Sequence, residues 1–101
     1  MLLDVIDRYH LLEELRRQLA KDLGLSAQED LLKAENLPAA LEAHLAQRAQ
    51  QNQQELAQLC YRIDLAEAQV RTTKSFEALA RLILEREAQK VLLRAQLAGR
   101  L

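Results

Sequence analysis

The chain offers almost nothing to interrupt a helix: 2 glycines and 1 proline among 101 residues. Leu, Ala, Gln, Glu and Arg dominate. These are strong helix formers, whereas the β-branched residues that strands favour are few. A sheet is therefore excluded and the fold class is all-α. A chain of this length supports one hydrophobic core, so residues 1–101 are read as a single helical-bundle domain. Only 3% of the residues are aromatic, so that core is built from Leu and Ala and suits close helix packing.

The strongest helical pattern is residues 56–70, LAQLCYRIDLAEAQV, and the spacing predicts that the other helices pack around it. A first helix is expected over residues 1–23, with Leu2, Val5, Ile6, Tyr9, Leu12, Leu19 and Leu23 at helical spacing and Gly24 as its stop. His10 lies at the edge of that stripe, as a surface or half-buried side chain. Ser26 and Glu29 form a capping box that opens a short second helix. Asn36 caps a third helix, with Pro38 in its first turn and Leu41, Leu45 and Ala49 on its inner side. Residues 47–55 are Gln-rich and lack a large apolar side chain. Asn52 with Glu55 predicts a break near residues 51–52, and an unbroken helix over 38–71 is the alternative that the lack of Gly and Pro leaves open.

The fourth helix then covers residues 53–71, with Leu56, Leu59, Cys60, Ile63, Ala66 and Val70 as its inner stripe. Residues 72–75 turn the chain into a fifth helix over 76–98, with Gly99 as a possible cap. The expected architecture is an antiparallel bundle of four main helices and one short one, ending in a helical hairpin.

The fifth helix carries charge where an inner face is expected. Phe76, Leu79, Ala80 and Ile83 define that face, and Arg86, Glu87, Lys90 and Arg94 continue at the same azimuth. Such charges need partners if they are covered. Register counted from the turn brings Asp64 and Glu67 toward Arg81 and Arg86, and Arg62 toward Glu85. Arg62, Asp64, Glu67, Arg81, Glu85 and Arg86 are thus the candidate site residues, as an interhelical network that sets register. The alternative is that these charges stay separate and solvated.

Catalysis is not expected. No Glu-x-x-His occurs, so the usual carboxylate–histidine metal site of helical bundles is missing. There is no Gly-rich phosphate loop, and Cys60 has no His in a convincing position, so it is read as a buried structural thiol. No cofactor is implied. Net charge is −1, but unevenly spread: residues 1–70 hold seven bases against twelve acids, and residues 71–101 hold seven bases against three acids. The expected reason is that a basic last helix docks against acidic earlier ones. Nucleic-acid binding would need more Lys and Arg with interleaved aromatics, and Phe76 is the only aromatic there. Asp4, Asp7 and Arg8 interrupt the only early apolar run, and no window suits a membrane span, so a cytoplasmic location is expected.

Leu59-Cys60-Tyr61-Arg62-Ile63-Asp64, then Glu67, then Leu82-Ile83-Leu84-Glu85-Arg86-Glu87-Ala88-Gln89-Lys90 give the second half of the chain a family likeness. It resembles small, functionally uncharacterised bacterial helical proteins with a Tyr-Arg-Ile-Asp segment and a final Arg-Glu-x-Gln-Lys helix. In that family an Asp often stands where Asn52 is, which agrees with a helix break. The resemblance implies an all-helical fold and no activity.

The functional expectation is a non-enzymatic interaction or structural module that self-associates, as a homodimer or with another protein. Its support is an excess of leucine, with Leu11, Leu92 and Leu101 left over from the expected core. The alternative is a regulatory nucleic-acid-binding protein that uses the basic last helix.

Overall fold

The chain bends more often than its glycines suggest. The computed structural model describes residues 2–25 and 30–99, apart from the side chains of Leu2, Asp30, Leu32 and Glu67. Among the described residues there are seven helical segments and no strand: α1 (Leu2–Arg8), α2 (Leu12–Leu23), α3 (Asp30–Lys33), α4 (Leu37–Gln51), α5 (Gln53–Ile63), α6 (Glu67–Thr72) and α7 (Phe76–Leu97). The all-α bundle is present. The helix expected over residues 1–23 is divided in two, and so is the helix expected over 53–71. The Ser26–Glu29 capping box lies outside the described residues.

The two unforeseen breaks share one construction with the foreseen one. At Gly24 the backbone is left-handed, φ 70°, and the Leu25 N–H returns 2.8 Å to the Ala20 carbonyl. His10 does the same at φ 56°, with the Leu11 N–H 2.9 Å from the Ile6 carbonyl. Asp64 does it at φ 68°, with the Leu65 N–H 3.1 Å from the Cys60 carbonyl. Each is a Schellman-type stop, in which a left-handed residue satisfies the orphan carbonyls and the next residue packs back on the helix. That next residue is leucine every time. Leu11 is 1% exposed, and Leu25 and Leu65 pack against the core. Leu11 is therefore core, not surplus, and Leu92 also packs against the core. Leu101 lies outside the described residues.

Helix starts follow side-chain capping. Asn36 accepts from the Ala39 N–H at 3.2 Å, ahead of Pro38. Asn52 closes α4 and opens α5, accepting from the Gln54 N–H at 3.0 Å, so the chain breaks where the Gln-rich stretch has nothing to bury. Ser75 opens α7, accepting from the Ala78 N–H at 3.1 Å.

The organising helix is α7, not residues 56–70. It packs against α1, α2, α4 and α5, and its broadest contact is with α4. At 22 residues it is about 33 Å long, in a molecule whose longest dimension is 40 Å. Leu79, Ala80, Ile83, Leu84, Ala88, Val91 and Ala95 are buried along it, and the three alanines let neighbouring backbones come close. Around it Ile6, Leu15, Leu19, Leu23, Leu41, Leu45, Leu59 and Ile63 complete the core. Residues 56–70 cannot hold this role because Asp64 ends their helix partway.

The left-handed geometry at residue 10 is directly testable. His10→Gly should leave stability equal or about 0.5 kcal/mol higher, and His10→Val should lower it by about 1–2 kcal/mol. Urea unfolding of the two variants measures both, and a Val variant as stable as the native chain would refute the left-handed stop.

Candidate functional site

The densest group of functional side chains lies between α2 and α7. Gln18 and Asp22 sit one turn apart on α2 and are buried. Asp22 Oδ2 accepts from Gln18 Nε2 at 3.0 Å and from Lys90 Nζ at 2.9 Å. Arg94 Nη2 donates to Gln18 Oε1 at 2.9 Å. Because Gln18 meets Arg94 and Asp22 meets Lys90, α2 runs antiparallel to α7. Glu87 completes the group. It is 0% exposed, and Lys90 Nζ lies 3.7 Å from its Oε2, an ion-pair distance that is too long for a hydrogen bond.

Two carboxylates in one covered place cannot both ionise easily. Burial pushes the Glu87 carboxyl up to about 8, reinforced by the neighbouring Asp22 carboxylate and only partly opposed by Lys90. Burial also pushes Asp22 upward. The nearby Glu87 carboxyl, the hydrogen bonds from Lys90 and Gln18 and the charge of Lys90 outweigh it and leave Asp22 below its ordinary value. As a carboxylate, Glu87 would have neither oxygen hydrogen-bonded. As a carboxylic acid it carries no charge and has a proton to offer the neighbouring Asp22 carboxylate. At neutral pH one proton therefore leaves the covered Asp22, Glu87 and Lys90 with no net charge.

The residues singled out in the sequence lie mostly on the surface. Arg86 Nη2 is 3.1 Å from Asp64 Oδ2, and the Asp64 side chain is 80% exposed. Arg81 pairs within its own helix, 2.7 Å from Glu77. Arg62 reaches the end of α2, with Nη1 3.8 Å from where a Cβ on Gly24 would stand. Glu85 lines an open groove of about 1020 Å³ with Leu3, Pro38 and Leu82. The side chain of Glu67 lies outside the described residues. Among the five whose side chains are described, Asp64 and Arg86 are brought together.

The buried group was hidden in plain view. Leu11, Leu15, Gln18 and Asp22 recur at spacings of four, three and four, so Gln18 and Asp22 occupy stripe positions where leucine would be expected. That polar interruption of an apolar stripe was the available signal. Its match on α7 was visible as Glu87, Lys90 and Arg94, but the counter-charge came from α2 and not from residues 64–67.

The chemistry open to this group is narrow. The groove at Glu85 and a smaller apolar one of about 310 Å³, lined by Leu56, Val70, Phe76 and Leu79, are both lined by residues outside it. Among the described residues no three His, Cys, Asp or Glu groups converge as a metal site requires. The basic residues of α7 are engaged within the fold, Arg81 by Glu77, Arg86 by Asp64, Lys90 by Asp22 and Arg94 by Gln18. Cys60 is buried, which pushes its thiol up and away from reactivity. Comparison with protein-family models, curated proteins and solved structures returns no match for this chain. Among the described residues no helix is long and apolar enough to cross a membrane.

Buried and exposed pairs should differ in weight. Lys90→Ala leaves two carboxyls without their cation and should cost about 2–3 kcal/mol at pH 7. The Asp64–Arg86 pair should show a coupling below about 1 kcal/mol. The cycle is best run with Asp64→Asn and Arg86→Gln, because Asn tolerates the left-handed backbone that Ala would strain. Chemical denaturation gives both numbers, and a Lys90→Ala loss under the Asp64–Arg86 coupling would reverse the ranking.

Proposed function

We propose that the chain is a non-enzymatic protein-interaction module that self-associates as a homodimer. The observation that carries this reading is the end of α7. Leu93 and Leu97, one turn apart, are 57% and 80% exposed. The antiparallel course of α2 puts its start at the same end, with Tyr9 and Leu12 exposed as well. Single exposed apolar residues are ordinary, but four large ones gathered at one end mark a surface for association.

A second copy brings the same set, so a two-fold pairing covers both sets in one contact. A structural role is supported by the covering of the perturbed carboxyl, Glu87, and by the position of the two grooves described above, which lie elsewhere. A single buried thiol supports a reducing compartment, and the cytoplasm is the one proposed.

Light scattering at high micromolar concentration should give twice the mass of the chain. Leu93→Glu with Leu97→Glu should give the monomer mass with unchanged helical content. A native chain that stays monomeric at that concentration removes the homodimer.

A further inference from the structure

Among the described residues, Glu87 is a fully covered side chain whose chemistry the packing does not explain. A leucine would fill an apolar seam at that position, yet a carboxyl stands there, 0% exposed, against Asp22. The groups around it are few. From α2 comes Asp22, and from α7 itself come Lys90 and Arg94, the latter turned to Gln18. α4 carries the half-buried His44 and also Arg48, which donates to the Leu23 carbonyl at the end of α2. α5 carries the buried Cys60 and the exposed Arg62 and Asp64, and α1 carries the exposed Asp4, Asp7 and Arg8. Of these, Asp22 and Lys90 act on Glu87.

We propose that Glu87 and Asp22 form a proton latch between the two helices: Glu87 is held as a neutral acid that donates to the Asp22 carboxylate, and loss of that proton releases α2 from α7. The step is simple acid–base chemistry. The O–H bond of Glu87 breaks, the proton passes to water, and two carboxylates are left facing one ammonium group. Neither oxygen of the new carboxylate has a hydrogen-bond donor in place. Opening of α2 exposes both carboxylates to water and removes the repulsion.

The direction of the pH effect follows from the closed form binding the proton more tightly. Glu87 titrates near 8 when covered and near 4.5 when free. The latch is therefore at full strength below about pH 4.5, weakens as pH rises toward 8, and weakens no further above it. One proton is involved, so the opening constant should rise by up to about tenfold per pH unit across that window. Asp22 acts in the opposite sense. Its lowered value means its contribution is lost only in strong acid.

Hydrogen exchange of the α2 amides, corrected for the intrinsic rate, reads the latch in the full chain between pH 5.5 and 9. Native protection should fall across the window by up to about tenfold per unit. Glu87→Gln keeps a donor toward Asp22 and cannot ionise, so its α2 protection should be flat and exceed the native value at pH 9. Native and Glu87→Gln profiles that run parallel would overturn the latch. The carboxyl ¹³C shift of Glu87 in the native chain gives a second reading that needs no variant. An inflection above pH 7 supports the latch, and one below pH 5 overturns it.

Discussion

Four helices close on α7, and the fold answers to that one constraint. A helix covered on several sides must be apolar over most of its surface and narrow enough for backbones to approach. Ala80, Ala88 and Ala95 meet the second demand, and Leu79, Ile83, Leu84 and Val91 meet the first. The same constraint explains why a charged residue on α7 is so consequential. Glu87 on this helix has no route to water without displacing a neighbour, whereas Asp64 on α5 points into solvent at no cost.

The bends of the other helices serve this arrangement. The stop at His10 divides residues 2–23 into two segments, and α1 and α2 both lie on α7. The stop at Asp64 likewise turns the chain away after Ile63 has been buried. In each case the burial of the following leucine offsets the strain of a left-handed residue that is not glycine. Local strain is thus exchanged for core packing.

What could be read from the residues divides along this line. Gly24, Asn36, Asn52 and the hydroxyl-rich turn before Phe76 were legible because their chemistry is local: a cap satisfies backbone groups within three residues. His10 and Asp64 were not, because their left-handed geometry is imposed by where Leu11 and Leu65 must go. The Asp64–Arg86 contact could be reached by counting back from the turn that joins the two arms. Asp22 and Lys90 stand 68 residues apart with four helical segments between their helices, so their meeting depends on a register that no short-range count supplies. The stripe interruption at Gln18 and Asp22 showed that something polar belonged there, but not what.

The place of α7 in chain order has a consequence for how the molecule is made. Among the first six segments, the main contacts join α1 with α2, α2 with α5, α3 with α4 and α4 with α5. The surface that unites them arrives last. During synthesis Leu15, Leu19, Leu41, Leu45 and Ile63 are in place long before the helix that covers them, so the nascent chain carries uncovered leucine until α7 emerges. Phe76–Leu97, on which α1, α2, α4 and α5 all pack, is the last of the seven segments to be made.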